Sequence, residues 1–210
     1  MTTRHLQDYR TVSIQPETLD GRLDFEAIFG HCGPVEIEIG SGKGTFLVSQ
    51  GRAFPQTGFL GIEWANKYYR YAVDRIGRWQ LANVRLIRTD AAQFLAEHVP
   101  EAGVDGFHLY YPDPWPKKRH HKRRFFCEEN LARMLACLKL GGWINIATDH
   151  TDYFEQIQAV AGAAVAAGRV EGIPFKRPAG AREGELVGTN YERKYKIEGR
   201  PTYTLALEKR

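Results

Sequence analysis

Glu36-Ile37-Glu38-Ile39-Gly40-Ser41-Gly42-Lys43-Gly44 reads as a strand that runs straight into a glycine-rich turn, with a helix starting near Thr45. Glycines at alternate positions let the backbone turn sharply and approach a ligand closely. A helix N-terminus opening onto the turn supplies free N–H groups. From Pro34 onward the same unit recurs: short apolar, β-rich runs alternate with longer helical stretches. Strands are expected at 35–39, 59–63, 84–88, 106–111, 143–148 and 203–208, and helices at 44–50, 67–79, 91–98, 127–138 and 152–167. That alternation predicts an α/β fold, Rossmann-like, with a mainly parallel, doubly wound sheet and helices on both faces. Ligands in such sheets bind at the carboxyl ends of the strands, so the informative residues are those at strand ends.

The 210 residues suffice for one such domain, placed at 34–210 behind an N-terminal extension at 1–33. Neither residues 1–33 nor 169–200 show a clear period, and both are expected to decorate the sheet or contact a partner. A hydrophobic content of 43% with 26% charged residues is ordinary for a globular chain, and no apolar run approaches a membrane span. Residues 1–10 carry Arg4, His5, Asp8 and Arg10 and lack the apolar core of a secretory signal, so a cytoplasmic location is expected. Cys32, Cys127 and Cys137 form no Cys-x-x-Cys pair and are read as small buried hydrophobes. Net charge is only +4, but Lys117, Lys118, Arg119, Lys122, Arg123 and Arg124 stand together, with His120 and His121 between them. Adjacent histidines embedded in like charge are a poor metal site, and no metal is expected.

A dinucleotide fingerprint would place its third glycine at position 45, where this chain has Thr, and the turn lacks the Gly-Lys-Ser/Thr ending of a phosphate-binding loop. Gly40, Gly42 and Gly44, preceded by the acid Glu38, instead resemble motif I of class I methyltransferases. Glu63 ends the second strand about twenty residues on, where a carboxylate can accept both hydroxyls of a ribose; a solvated surface acid is the alternative. Asp90 ends the third strand, either to accept from the exocyclic amine of adenine or to cap the helix beginning at Ala91.

The stretch after the fourth strand, Tyr110-Tyr111-Pro112-Asp113-Pro114-Trp115-Pro116-Lys117-Lys118-Arg119-His120-His121-Lys122-Arg123-Arg124, is the most informative in the chain. Prolines on both sides of Asp113 exclude helix and stiffen the loop, as suits a group held in one geometry. The basic residues can neutralise phosphates, and Trp115 offers a face for a base to stack on.

With Glu-Ile-Gly-Ser-Gly-Lys-Gly at 38–44, Gly-Ile-Glu at 61–63, Ala-Thr-Asp at 147–149 and Thr-Asn-Tyr-Glu at 189–192, this stretch resembles the bacterial tRNA (guanine-46-N7)-methyltransferase family, in the family's order across most of 34–192. The resemblance implies S-adenosylmethionine as cofactor, contacted by Glu38, Glu63, Asp90 and Asp113 beside the glycines. Asp113 is also the implied catalytic residue. It implies tRNA as substrate, met by Lys117, Asp149 and the segment Thr189, Asn190, Tyr191 and Glu192, in a monomer or homodimer. Asn190 departs from the lysine usual in the family, which puts substrate affinity in question. Asp149 is read either as orienting the guanine or as capping the following helix. Two other readings compete: a methyltransferase for exocyclic amines, which Asp113-Pro114-Trp115 matches in part, and a non-catalytic RNA-binding protein.

Overall fold

The computed structural model describes residues 6–210; Arg4 and His5 of the polar N-terminus lie outside the described residues. Strand β1 (Ser13–Ile14) and helix α1 (Phe25–Phe29) precede the first expected strand, β2 (Val35–Ile39). Then follow α2 (Thr45–Ala53), β3 (Gly58–Ile62), α3 (Asn66–Arg78), β4 (Val84–Ile87), α4 (Ala91–Glu97), β5 (Val104–Tyr110), α5 (Glu128–Cys137), β6 (Leu138–Thr148) and α6 (Thr151–Ala166). The chain ends in β7 (Val170–Gly172), α7 (Asn190–Ile197) and β8 (Tyr203–Lys209). One eight-stranded sheet results, in the order β1-β4-β3-β2-β5-β6-β8-β7. All pairs are parallel except those of β8, which runs antiparallel to both β6 and β7.

Period-two alternation divides the interior into two cores, one on each face of the sheet. Ile37 and Ile39 of β2, Phe107 and Leu109 of β5 and Ile144 and Ile146 of β6 face one way, against Phe94 of α4, Leu131 of α5 and Tyr153 of α6. Phe59 of β3, Leu86 of β4 and Tyr110 of β5 face the other way, against Phe46 and Leu47 of α2 and Val73 and Ile76 of α3. Glu36 and Glu38 share this second face with the buried His108 and Asn145, so a polar strip enters this layer.

The chain reverses direction of travel across the sheet between β2 and β5, which are neighbours, and this switch point opens the crevice in which α/β sheets bind ligands. The expected strands and helices all form, with ends shifted by a residue or two except in β6 and at the end of α2, which runs three residues further, to Ala53. That strand begins at Leu138, paired with Val104, and reaches the expected segment through a register shift past Gly141 and Gly142. The aperiodic segments contribute elements too: β1 pairs with Leu86 and Ile87, and Phe25 and Phe29 enter the first core. The reading of three buried cysteines is corrected: only Cys137 is buried, Cys32 is exposed and Cys127 intermediate. Among the described residues no helix is long and apolar enough to cross a membrane, and no cluster of three or more His, Cys, Asp or Glu could hold a metal ion.

Candidate active site

Gly40, Gly42 and Gly44 all take left-handed φ angles (+77°, +54° and +68°), a conformation that costs a residue with a Cβ about 1–2 kcal/mol. The turn they form is tied to the end of β3. Glu63, directly after that strand, accepts from the Gly42 N–H at 2.8 Å through one carboxylate oxygen and from the Ala65 N–H at 2.7 Å through the other. Glu63 is therefore a buried acid, not a solvated one. Burial raises its pKa, opposed by these backbone donors and reinforced by the charge of Asp113.

Glu38 is buried on the α2 face of β2, and its Oε2 has no hydrogen-bond partner among the described residues. Burial, and then the charge of Glu63, push its pKa well above the usual carboxylate range. An orphaned buried acceptor of this kind costs about 1–3 kcal/mol, a cost recovered when a donor arrives. Glu38 lines a cavity of about 260 Å³ with Lys43, Thr45, Tyr110 and Tyr191. A larger cavity of about 440 Å³ is lined by Glu63, Asp90, Asp113, Asp149, Trp64 and Trp115 among others. Gly40, Gly42, Tyr68, Tyr110 and Tyr191 line both, so the two adjoin across the glycine turn.

Asp90 is exposed and caps α4, its Oδ1 accepting from the Gln93 N–H at 3.0 Å. The capping role is thus filled while the residue also lines the larger cavity. For Asp149 the cap is excluded: His150 caps α6 through its ring nitrogen, and Asp149 pairs with Arg200.

Asp113 stands in a strained, clamped loop. Tyr111 and Trp115 hold φ values of +52° and +44°, unusual for bulky side chains and costing on the order of 1–3 kcal/mol each. Three contacts offset that strain: the Tyr111 N–H donates to the Ala147 carbonyl at 2.7 Å, the Tyr111 hydroxyl lies 3.0 Å from Thr202 Oγ1, and Arg124 Nε donates to the Pro114 carbonyl at 2.7 Å. Arg124 is buried, donates to Gln156 at 3.0 Å and pairs with Asp152. It leaves the basic run as a phosphate ligand and serves as an internal clamp. The remaining cations, Lys117 to Arg123, are exposed on and beside a short 3₁₀ helix, with Arg123 stacked 5.0 Å over the Trp115 ring. Lys117 does not line either cavity. Asp113 itself makes no hydrogen bond or ion pair with another described residue.

The 189–192 segment opens α7, which the absence of a hydrophobic period concealed. Thr189 caps the helix, accepting from the Glu192 N–H at 3.1 Å. Glu192 is fully buried, and its carboxylate takes the N–H groups of Leu186, Val187 and Gly188 at 2.6, 3.0 and 2.7 Å. Asn190 donates to Thr45 Oγ1 at 2.8 Å, and Tyr191 faces the cavities, with its Cε2 3.6 Å from where a Cβ on Gly42 would sit. Tyr68, Tyr195 and Arg200 also line the larger cavity and were not singled out from the sequence. They lie in no motif, and only the fold brings them there.

The strand order, the glycine turn and the ring of carboxylates define a Rossmann-like class I methyltransferase. Solved structures share the fold: a 30S ribosomal A1408 methyltransferase from an uncultured bacterium (TM-score 0.58, 15% identity, 90% of this chain and 95% of that one) and a SAM-dependent methyltransferase from Aquifex aeolicus (TM-score 0.56, 11% identity, 89% and 90%). Residues 33–205 match the family described as "Putative methyltransferase". Curated relatives include the tRNA (guanine-N(7)-)-methyltransferases of Rhodopirellula baltica (34% identity, covering 93% of this chain and 73% of the relative) and Alkalilimnicola ehrlichii (35%, covering 90% and 78%). That of Nitrosococcus oceani is 41% identical over 67% of this chain and 59% of its own length. The chain belongs to the tRNA (guanine-N(7)-)-methyltransferase family.

Proposed function

We propose that this chain transfers a methyl group from S-adenosylmethionine to N7 of guanine at position 46 in the variable region of tRNA, acting in the cytoplasm. The observation that carries the reading is the convergence of Glu38, Glu63 and Asp113, held by three different strand ends, on two adjoining cavities that meet at the glycine turn.

The donor set fits this cofactor. Glu63 spends one acceptor site per oxygen on the backbone, and a carboxylate has about four, so it can still receive ribose hydroxyls. The orphaned Oε2 of Glu38 suits a cationic donor, and Asp90 lies on the same rim for the adenine amine. When bound, S-adenosylmethionine supplies an electrophilic methyl group on a positively charged sulfur.

Guanine N7 is an unprotonated acceptor, so no general base is required before it attacks. The work left to the protein is positioning and electrostatics. Asp113, unpaired and fixed between two strained residues, orients the reactants and favours positive charge as it moves toward the purine. The Tyr191 ring packs against the glycine turn, and Trp115 with the exposed cations offers a face for the RNA. Asp149, tied to Arg200, borders the same space and can accept from the guanine N1–H and amino group.

Incubation with labelled S-adenosylmethionine and unmodified tRNA, followed by borohydride and aniline treatment, tests the reading. Chain cleavage at the labelled nucleotide is expected, because N7-methylguanosine is cleaved under these conditions. Labelling without cleavage would exclude guanine N7 as the acceptor.

A further inference from the structure

The basic run at 117–123 is not the only exposed concentration of positive charge among the described residues. Between Ile39 and Thr89 the acids are Glu63, inside the cavity, and Asp74, buried and 3.0 Å from Arg78. Against them stand the exposed cations Lys43, Arg52, Lys67, Arg70, Arg78 and Arg88. Most of these belong to α2, α3 or the turn that opens α2, and the two helices lie side by side. Three contacts run along their seam in order: Lys43 Nζ 5.4 Å over the Tyr71 ring, Arg75 on Thr45 Oγ1, and Arg52 4.4 Å over the Trp79 ring. Asn190 of α7 joins the same Thr45 oxygen, so the seam begins at the mouth of the smaller cavity. From Tyr71 to Trp79 along α3 it continues for about 12 Å.

Helix stability accounts for only part of this charge. Arg52, Arg75 and Arg78 stand in last turns, where cations complement the helix dipole. Lys67 does the opposite: it is the second residue of α3, which has no acid in its first turn, where the dipole disfavours a cation, and Arg70 follows in the second turn, away from the favoured end. Exposed Tyr71 and Trp79 interleave with the cations, the combination that follows a nucleic-acid backbone.

We infer that the joined outer faces of α2 and α3 form a second RNA-binding track, leading from the cavity mouth and carrying backbone phosphates of the substrate away from the reacting base. This inference rests on the tRNA reading above. It separates tRNA engagement into a contact near the reacting base, at 115–123, and a remote one on α2 and α3.

The dipole argument supplies a test that a merely structural role would not reproduce. In Lys67→Glu/Arg70→Glu, acids replace cations in the first two turns of a helix, so thermal stability should hold or rise while tRNA binding weakens. Binding is measured for full-length tRNA between about 50 and 200 mM salt, where each lost phosphate contact makes the slope of log K against log salt shallower by roughly 0.7–0.9. The double variant is expected to lose between one and two units of slope and roughly tenfold or more in affinity, with S-adenosylmethionine binding unchanged. Arg52→Gln, at the far end of the seam, should lose a further fraction of a unit. Parent-like slope and affinity in both variants would overturn the inference, provided the parent binds tRNA. Failure of the parent to bind would overturn the substrate reading itself. A parent dimer that becomes monomeric in the double variant at unchanged tRNA affinity would assign the face to a second copy of the chain and likewise overturn the inference.

Discussion

Two segments close the same crevice by different physics. Residues 110–124 are stiffened covalently by prolines around Asp113 and clamped from beneath by Arg124. Residues 186–200 carry no such stiffening and are held by one buried carboxylate, Glu192, which gathers three successive backbone N–H groups. Arg193 adds a two-pronged pair to Glu185 at 2.7 and 3.1 Å. The first segment presents an unpaired acid to the cavity and the second presents tyrosines. The difference suggests a division of labour, chemistry in the first and closure of the cavity in the second, which substitutions can break.

The largest effect is expected from Asp113→Asn, which keeps shape but removes charge: turnover should fall on the order of 10²–10³-fold, with S-adenosylmethionine affinity little changed. Steady-state kinetics beside calorimetric binding checks this, and unchanged turnover would remove Asp113 from the mechanism. Glu192→Ala strands three N–H donors, costing about 3 kcal/mol or more. Urea unfolding should register the loss, and hydrogen exchange should quicken first at 186–188; protection equal to the parent's would show that the segment is held by something else. Within the first segment, Arg124→Met should cost roughly 2 kcal/mol by freeing the Pro114 carbonyl, while Arg123→Ala stays within about 0.5 kcal/mol. Equal losses at both positions would erase the distinction between clamp and surface cation.

The smallest effect concerns Glu38. Its pKa is raised in the fold by burial, so the folded protein holds a proton that the unfolded chain has already released. The stability this contributes is complete below the ordinary carboxylate range and is lost as pH rises through the folded value. Glu38→Gln should therefore stabilise the cofactor-free protein at neutral pH, by about 2–4 °C in Tm for each kcal/mol, and flatten its pH dependence. Affinity for S-adenosylmethionine should fall at the same time. A lower Tm at neutral pH would contradict the account of Glu38.

The contrast between the segments also explains what the sequence made legible. Strands and their carboxyl-end acids could be read because β-branched runs bury both faces of a parallel sheet, and the Pro-Asp-Pro stretch could be read because proline restricts the backbone regardless of context. Helix α7 escaped because its residues are largely polar and Ile197 is 89% exposed, leaving no apolar stripe to detect. Its available signal is the capping pair Thr189-x-x-Glu192, in residues that the family resemblance assigns to the substrate. Arg124 could not be told from Arg123 by sequence, since burial is decided by Gln156, Asp152 and Tyr153 on α6. The acids Asp90 and Asp149 have two readings each in sequence, and the caps observed at α4 and α6 show only that Asp90 fills the capping role and Asp149 does not.

The most direct test of the central claim compares two unmodified tRNAs that differ only at position 46, guanosine in one and adenosine in the other, as acceptors of labelled methyl from S-adenosylmethionine. The account predicts labelling of the guanosine tRNA as N7-methylguanosine and none of its partner. Equal labelling of both would contradict it.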